Sequence, residues 1–204
     1  MQIQLAVDRV SLEKAIGILK EASPYIDIIE VGTSLVKDYG MNSIKEIKSC
    51  FPDKIILGDI KTMDEGAYEF EGAYNNGADI ATVMGAASLD TIRACCKTAS
   101  DFGKLMMIDL LEVDSEKINK LKEFKEAIFC IHLSIDSTAG DLVSLIKDFK
   151  GEFPEIGKIA VAGGVNYNTM VFLKESMVDI AIIGSAITKA DNIEKAAKRF
   201  REVL

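Results

Sequence analysis

The chain predicts a (β/α)8 TIM barrel, in which eight parallel strands close on themselves and each is followed by a helix, and three observations carry that reading. Short apolar and β-branched runs alternate with stretches of helical periodicity from one end to the other. The runs are nearly all apolar, as parallel strands covered by helices must be. The connections between them are too short to hold additional subdomains. Eight such units in 204 residues make a small barrel and a single domain, 1–204.

Taken in order, strand one is read at 2–8 and its helix at 11–22, opened by Ser11; strand two at 26–31 precedes a helix at 34–49 opened by Ser34. Strand three at 54–59 leads to a helix at 64–76 with Asp64 in its first turn, and strand four at 79–84 to a helix at 88–102 capped by Ser88. The second half repeats the pattern with strands at 104–110, 127–132, 157–162 and 179–184, and helices at 114–125, 137–150, 166–175 (opened by Asn166) and 191–203. An open doubly wound sheet uses the same alternation but commonly carries a glycine-rich turn after strand one, where this chain has Asp8-Arg9-Val10-Ser11.

Composition narrows the partners. A chain of this length buries roughly 70% of the surface its unfolded form exposes, enough for one self-sufficient core. The net charge of -8, with no block of Lys or Arg to offset it, opposes binding to nucleic acid or to an anionic membrane surface. Asp8 interrupts the N-terminal apolar run before a signal-peptide core could form, and no run of about 18 apolar residues occurs, so a soluble, cytoplasmic protein is expected. Cys50, Cys95, Cys96 and Cys130 have no CxxC spacing and read as reduced thiols.

In such barrels reactive groups gather at the carboxyl ends of the strands. Strand one ends in Asp8, strand two in Glu30, strand three in Asp59 with Lys61 beyond it, strand five in Asp109, and strand six in His132, the single histidine of the chain. Asp59 and Lys61, two residues apart, are expected on one face of an extended chain. The opposite ends of the strands are read as carrying no comparable set. After strands seven and eight come Gly163-Gly164 and Gly184-Ser185. Such turns let backbone N–H groups approach an anion, and loops seven and eight are the usual phosphate position in barrels.

Glu30 and Asp59 together suit a hard divalent cation, Mg²⁺ or alternatively Mn²⁺, with open positions for water or substrate hydroxyls. One histidine cannot build a multi-histidine zinc or iron site. Carboxylates beside Lys61 stabilise its ammonium form and oppose Schiff-base chemistry. A protonated lysine at a developing enolate, with an imidazole as general base, fits the set better.

Six segments carry a family likeness: Leu5-Ala-Val-Asp8; Asp27-Ile-Ile-Glu30-Val-Gly-Thr33; Asp59-Ile-Lys61-Thr-Met-Asp64-Glu-Gly66; Ala78-Asp79 with Thr82-Val83; Ile108-Asp109-Leu110; and Val161-Ala-Gly163-Gly164-Val165. With them the chain resembles the orotidine-monophosphate decarboxylase superfamily from Gln4 to the C-terminal helix, and within it the 3-hexulose-6-phosphate synthases. Asp-x-Lys-x-x-Asp marks the superfamily; the Lys-Thr-Met-Asp version and Asp109 point to the synthases.

The resemblance implies a Mg²⁺-dependent, reversible aldol reaction joining formaldehyde to ribulose 5-phosphate. It implies metal-binding roles for Glu30 and Asp59, a charged pair Lys61 and Asp64 beside the reacting carbons, a substrate-binding Asp109 and a proton-handling His132. It further implies a homodimer in which Asp64 reaches the partner's site.

The related 3-keto-L-gulonate-6-phosphate decarboxylases share the barrel and metal. They are disfavoured by Ile135 where they have arginine, by Asp109 where they have glutamate, and by Gly184-Ser185 where they have Gly-Arg. Orotidine-monophosphate decarboxylase itself has lysine where this chain has Glu30 and uses no metal, and ribulose-phosphate 3-epimerase needs several histidines. A barrel that binds a sugar phosphate without turning it over is the reading of another class, opposed by the intact set Glu30, Asp59, Lys61, Asp64 and His132.

Overall fold

The computed structural model describes residues 1–134 and 141–204; Ile135 and the start of the helix expected over 137–150 lie outside the described residues. Strands β1 (Gln2–Val7), β2 (Ile28–Val31), β3 (Ile55–Thr62), β4 (Ile80–Met84), β5 (Leu105–Asp109), β6 (Ile128–His132), β7 (Ile159–Ala162) and β8 (Ile180–Ile183) pair in parallel in sequence order. Pairing of β8 with β1 closes the barrel. No helix among the described residues is long and apolar enough to cross a membrane.

Register decides what the barrel contains. Ala6 lies opposite Glu30, Glu30 opposite Leu57, Asp109 opposite Cys130 and His132 opposite Ala162. On the inward parity, Ile28, Leu57, Ile80, Met107, Ile128, Cys130, Ala160, Ile180 and Ile182 form one buried apolar cluster. The alternate residues, such as Ile29, Val31, Ile56, Ile108 and Val161, join the larger core under the helices. Because side chains alternate along a strand, the same parity carries Glu30, Asp59, Asp109 and His132 to the carboxyl-end mouth, above the apolar plug.

The helices are α1 (Leu12–Ala22), α2 (Thr33–Tyr39), α3 (Asn42–Cys50), α4 (Gly66–Asn75), α5 (Leu89–Asp101), α6 (Ser115–Leu121), α7 (Leu142–Glu152), α8 (Tyr167–Glu175), α9 (Ser185–Thr188) and α10 (Ile193–Glu202). Ser11, Ser88 and Asn166 cap α1, α5 and α8, the last through a capping box with Thr169. Ser34 and Asp64 do not fill the places expected of them. Gly32 precedes α2, and the Ser34 N–H instead donates to Asp8 Oδ1 at 2.9 Å. Helix α4 starts at Gly66 after the left-handed Glu65, which leaves Asp64 outside it. The helix expected over 34–49 breaks in two at Gly40, whose φ of 64° ends α2.

The amino-terminal rim also departs from expectation, since it carries a charged set of its own. Asp27, Asp79 and Asp179 stand before β2, β4 and β8, and their carboxylates accept the N–H of Ile3, Ile56 and Ile159 at 2.8, 3.0 and 2.8 Å. Each ties down a donor near the start of the neighbouring strand. Arg201 lies 2.8 Å from Asp27, while Lys48 and Lys104 lie 3.0 and 2.6 Å from Asp79. These are clamps between strands, consumed by their partners.

Burial pushes the Asp79 carboxyl up, but hydrogen bonds from Lys104, the Ile56 N–H and Lys48 outweigh it and hold the group below the ordinary carboxylate value. A depressed carboxylate stabilises the fold above its unfolded-state pKa, and that contribution is lost as pH falls through the folded-state value. Asp79→Asn is therefore expected to cost about 1–2 kcal/mol in urea unfolding at pH 7. The gap should close as pH drops below about 4; a gap constant across that range would remove charge as its cause.

Candidate active site

Strand β3 shapes the site by departing from regularity. Its register against β4 shifts between Gly58 and Thr62, and Lys61 adopts a φ of 49°, a strained left-handed conformation for a residue with a Cβ. Lys61 is thus not presented by an extended chain, as expected, but by a bulge. Its side chain still meets Asp59: Nζ lies 3.2 Å from Asp59 Oδ1 and 2.8 Å from Asp109 Oδ2. Burial alone would lower the lysine pKa, but Asp59 and Asp109 raise it above the ordinary value, so Lys61 is an ammonium.

Two threonines that stand in the family segments but carried no assigned role hold this arrangement. The Thr82 hydroxyl accepts the Lys61 N–H and donates to Asp59 Oδ1, both at 2.9 Å. Thr33 Oγ1 donates to Asp59 Oδ2 at 2.5 Å. The bulge and the carboxylate are therefore fixed by one network. Thr82 was detectable as a polar residue at inward parity in an apolar strand; Thr33, at the start of α2, gave no such signal.

Asp109 joins this group to the histidine. His132 Nδ1 is 3.1 and 2.9 Å from its two oxygens, and the Leu111 N–H donates to Oδ1 at 2.9 Å. Burial pushes the Asp109 carboxyl up, yet the His132 hydrogen bond and the Lys61 charge prevail and hold it at about 2. An ionised carboxylate only accepts, so Nδ1 of His132 carries a hydrogen. In the neutral ring Nε2 is then the basic nitrogen.

Glu30 completes the buried acids. It is 9% exposed, and its Oε2 accepts from Gln4 Nε2 at 2.5 Å. Burial and then the facing charge of Asp59 push its pKa up to about 8. A carboxyl pushed up by burial and by a facing carboxylate belongs to a donor set that a hard cation would relieve. Among the described residues no group of three or more His, Cys, Asp or Glu forms a metal cage. The fit is therefore to an ion that takes two carboxylates and leaves its other positions to water or substrate, as Mg²⁺ and Mn²⁺ do.

The other expected residues lie around this centre. The turns after β7 and β8 are neighbours because the strands pair. Gly163 and Gly164 have φ of 87° and 72°, and a Cβ on Gly163 would stand 2.0 Å from the Leu133 carbonyl oxygen. Gly184 precedes the four-residue helix α9, which Ser185 opens. Asp8, next to this turn through β1–β8 pairing, bonds to the Ser34 N–H. Asp64 is exposed, and its recorded hydrogen bond is with the adjacent Glu65 N–H at 2.9 Å. The fold does not bring it into the Lys61–Asp109–His132 network of its own chain.

The two glycines of the β7 turn should respond differently to alanine. Gly163→Ala combines a left-handed penalty with a backbone clash and is expected to cost about 3 kcal/mol or more. Gly164→Ala meets nothing within 4 Å and should cost only about 1–2 kcal/mol. Thermal unfolding of both variants checks the difference; equal effects would contradict the close approach at Gly163.

Comparison with known proteins agrees with this fold. The family model described as orotidine 5'-phosphate decarboxylase / HUMPS family matches residues 1–200. The 3-hexulose-6-phosphate synthase of Bacillus subtilis is 31% identical, with 100% of this chain and 99% of the relative covered, and that of Mycobacterium gastri is 32% identical with both fully covered. A solved 3-hexulose-6-phosphate synthase from Salmonella typhimurium superposes with a TM-score of 0.93 at 33% identity, covering 100% of this chain and 98% of that one. The 3-keto-L-gulonate-6-phosphate decarboxylase of Vibrio cholerae gives 0.88 at 25% identity, over 99% and 96% of the two chains. These full-length likenesses place the protein among enzymes of the lyase class. By the family model and by its relatives alike, the chain belongs to the orotidine 5'-phosphate decarboxylase / HUMPS family.

Proposed function

We propose that the protein is an aldolase that condenses formaldehyde with D-ribulose 5-phosphate, reversibly, to 3-hexulose 6-phosphate through an enediolate. The observation that carries this reading is the continuous contact chain Asp59–Lys61–Asp109–His132 at the barrel mouth, with Lys61 2.8 Å from Asp109 and His132 Nδ1 2.9 Å from it. It joins a base, a fixed cation and a buried acid in one place.

Nε2 of His132 takes the proton from the ketose carbon next to the carbonyl, and the electron pair of that C–H bond becomes the enediolate double bond. The Lys61 ammonium, held between two carboxylates, stands beside the negative charge that develops. The enediolate carbon then forms the new bond to the formaldehyde carbon as the ketose carbonyl re-forms, and the formaldehyde oxygen takes the proton held by the His132 imidazolium to become a hydroxyl. Asp109 keeps the imidazole in the productive tautomer and binds substrate. Glu30 and Asp59 would hold Mg²⁺, or Mn²⁺, and a cation there supplies Lewis-acid stabilisation of the same charge. Asp8 and the turns Gly163-Gly164 and Gly184-Ser185 bind the substrate, the turns through backbone N–H groups facing its phosphate.

Asp64 acts in a second copy of the chain. Its carboxylate is exposed, and so are Met63, next to it in sequence, and Tyr68, at 52% and 76%, apolar side chains suited to a homodimer interface. The four free cysteines fit a reducing, cytoplasmic setting.

The test is incubation of EDTA-stripped protein, with and without Mg²⁺, with ribulose 5-phosphate, alone and with formaldehyde, and with 3-keto-L-gulonate 6-phosphate. Equimolar loss of ribulose 5-phosphate and formaldehyde, only with Mg²⁺ restored, is expected. Release of CO₂ from the gulonate alone would assign the decarboxylase reaction, and turnover of neither would leave a sugar-phosphate-binding barrel.

A further inference from the structure

Gln4 stands on the inward parity of β1, in register with Ile28 on one side and Ile182 on the other, and both of these belong to the apolar plug. It is 0% exposed. Its Nε2 donates to Glu30 Oε2 at 2.5 Å, while its own Oε1 is buried with no hydrogen-bond partner among the described residues. An amide with an unmet acceptor is a poor choice for stability, because that oxygen has given up water for nothing. A leucine or methionine would fill the same volume without the loss. The amide is therefore explained by what its other end does, and that end is a donor placed below the Glu30 carboxylate.

We propose that Gln4 is a positioning residue that fixes the Glu30 carboxylate for cation capture from inside the barrel. The inference rests on the cation reading of Glu30 and Asp59 given above. The choice of donor matters. An ammonium or guanidinium at this position would repel the cation, whereas a neutral amide restrains the carboxylate and adds no positive charge. Asp59 is restrained similarly from its far side, by the hydroxyls of Thr33 and Thr82. Outer-shell donors of this sort set the orientation of ligating carboxylates, and their removal commonly weakens metal binding by about 10–100-fold.

The experiment is a Mn²⁺ titration of EDTA-stripped protein by calorimetry, without substrate, on the parent, Gln4→Met and Gln4→Leu, with thermal unfolding of each metal-free protein. The expected result is a Kd raised about 10-fold or more in both variants with a melting temperature no lower than the parent's. In a Glu30→Gln background, Gln4→Met should have no further effect on Mn²⁺ affinity. Unchanged affinity in both variants overturns the proposal, as does weaker binding that tracks a lowered melting temperature in both. Failure of the parent to bind Mn²⁺ is a different result: it overturns the cation reading, and this inference with it.

Discussion

Asp59→Ala is expected to lower kcat/KM for the condensation by about 10³-fold or more. Asp59 is where three functions meet. It accepts from Thr33 and Thr82, which fix the β3 bulge, lies 3.2 Å from the Lys61 ammonium, and faces Glu30 closely enough to help push that group up to about 8. Truncation leaves Lys61 held by Asp109 alone and removes one of two carboxylates available to a cation. The fold should not suffer in proportion, since loss of one of two facing charges relieves Glu30 of repulsion. A metal-free melting temperature near the parent's, together with a large loss of Mn²⁺ affinity and turnover, is the expected pattern. Turnover within about threefold of the parent would take Asp59 out of the mechanism, because a transition-state contact of this kind is worth far more.

What the sequence made legible follows from which forces are local. Apolar runs such as Leu105–Ile108 and Ala127–Ile131 can only be buried strands here, and once eight strands alternate with helices the parallel closure is nearly forced. Parity then carries Glu30, Asp59, Asp109 and His132 to one mouth. Hidden from the sequence were features decided by tertiary contacts. The left-handed Lys61 exists because Thr82, on the next strand, receives its N–H. The clamps at Asp27, Asp79 and Asp179 depend on N–H groups one strand away. The break after Tyr39 was written in Gly40, but helical periodicity on both sides obscured it. Gln4 carries no role in the sequence alone; the β1–β2 register puts it beneath Glu30.

His132→Asn is expected to slow substrate proton exchange by about 10²–10⁴-fold while leaving phosphate binding nearly intact. The substitution is chosen for what it preserves. An asparagine amide presents an N–H roughly where Nδ1–H now meets Asp109, so the buried carboxylate, held at about 2 by His132 and Lys61 together, keeps a donor and stays ionised beside Lys61. What disappears is Nε2, the one nitrogen free to take a proton. Ribulose 5-phosphate in D₂O without formaldehyde isolates that step, since exchange of the carbon-bound hydrogen reports enediolate formation before any C–C bond is made. Exchange at the parent rate would remove His132 as the base. Asp109→Asn gives the complementary result. Its amide would offer a donor to Nδ1, the ring would turn its basic nitrogen toward residue 109 and present N–H to the substrate, and exchange should fall although the imidazole is still there. Loss of exchange in both variants with phosphate affinity retained requires the base to be an imidazole whose tautomer is set by the buried aspartate.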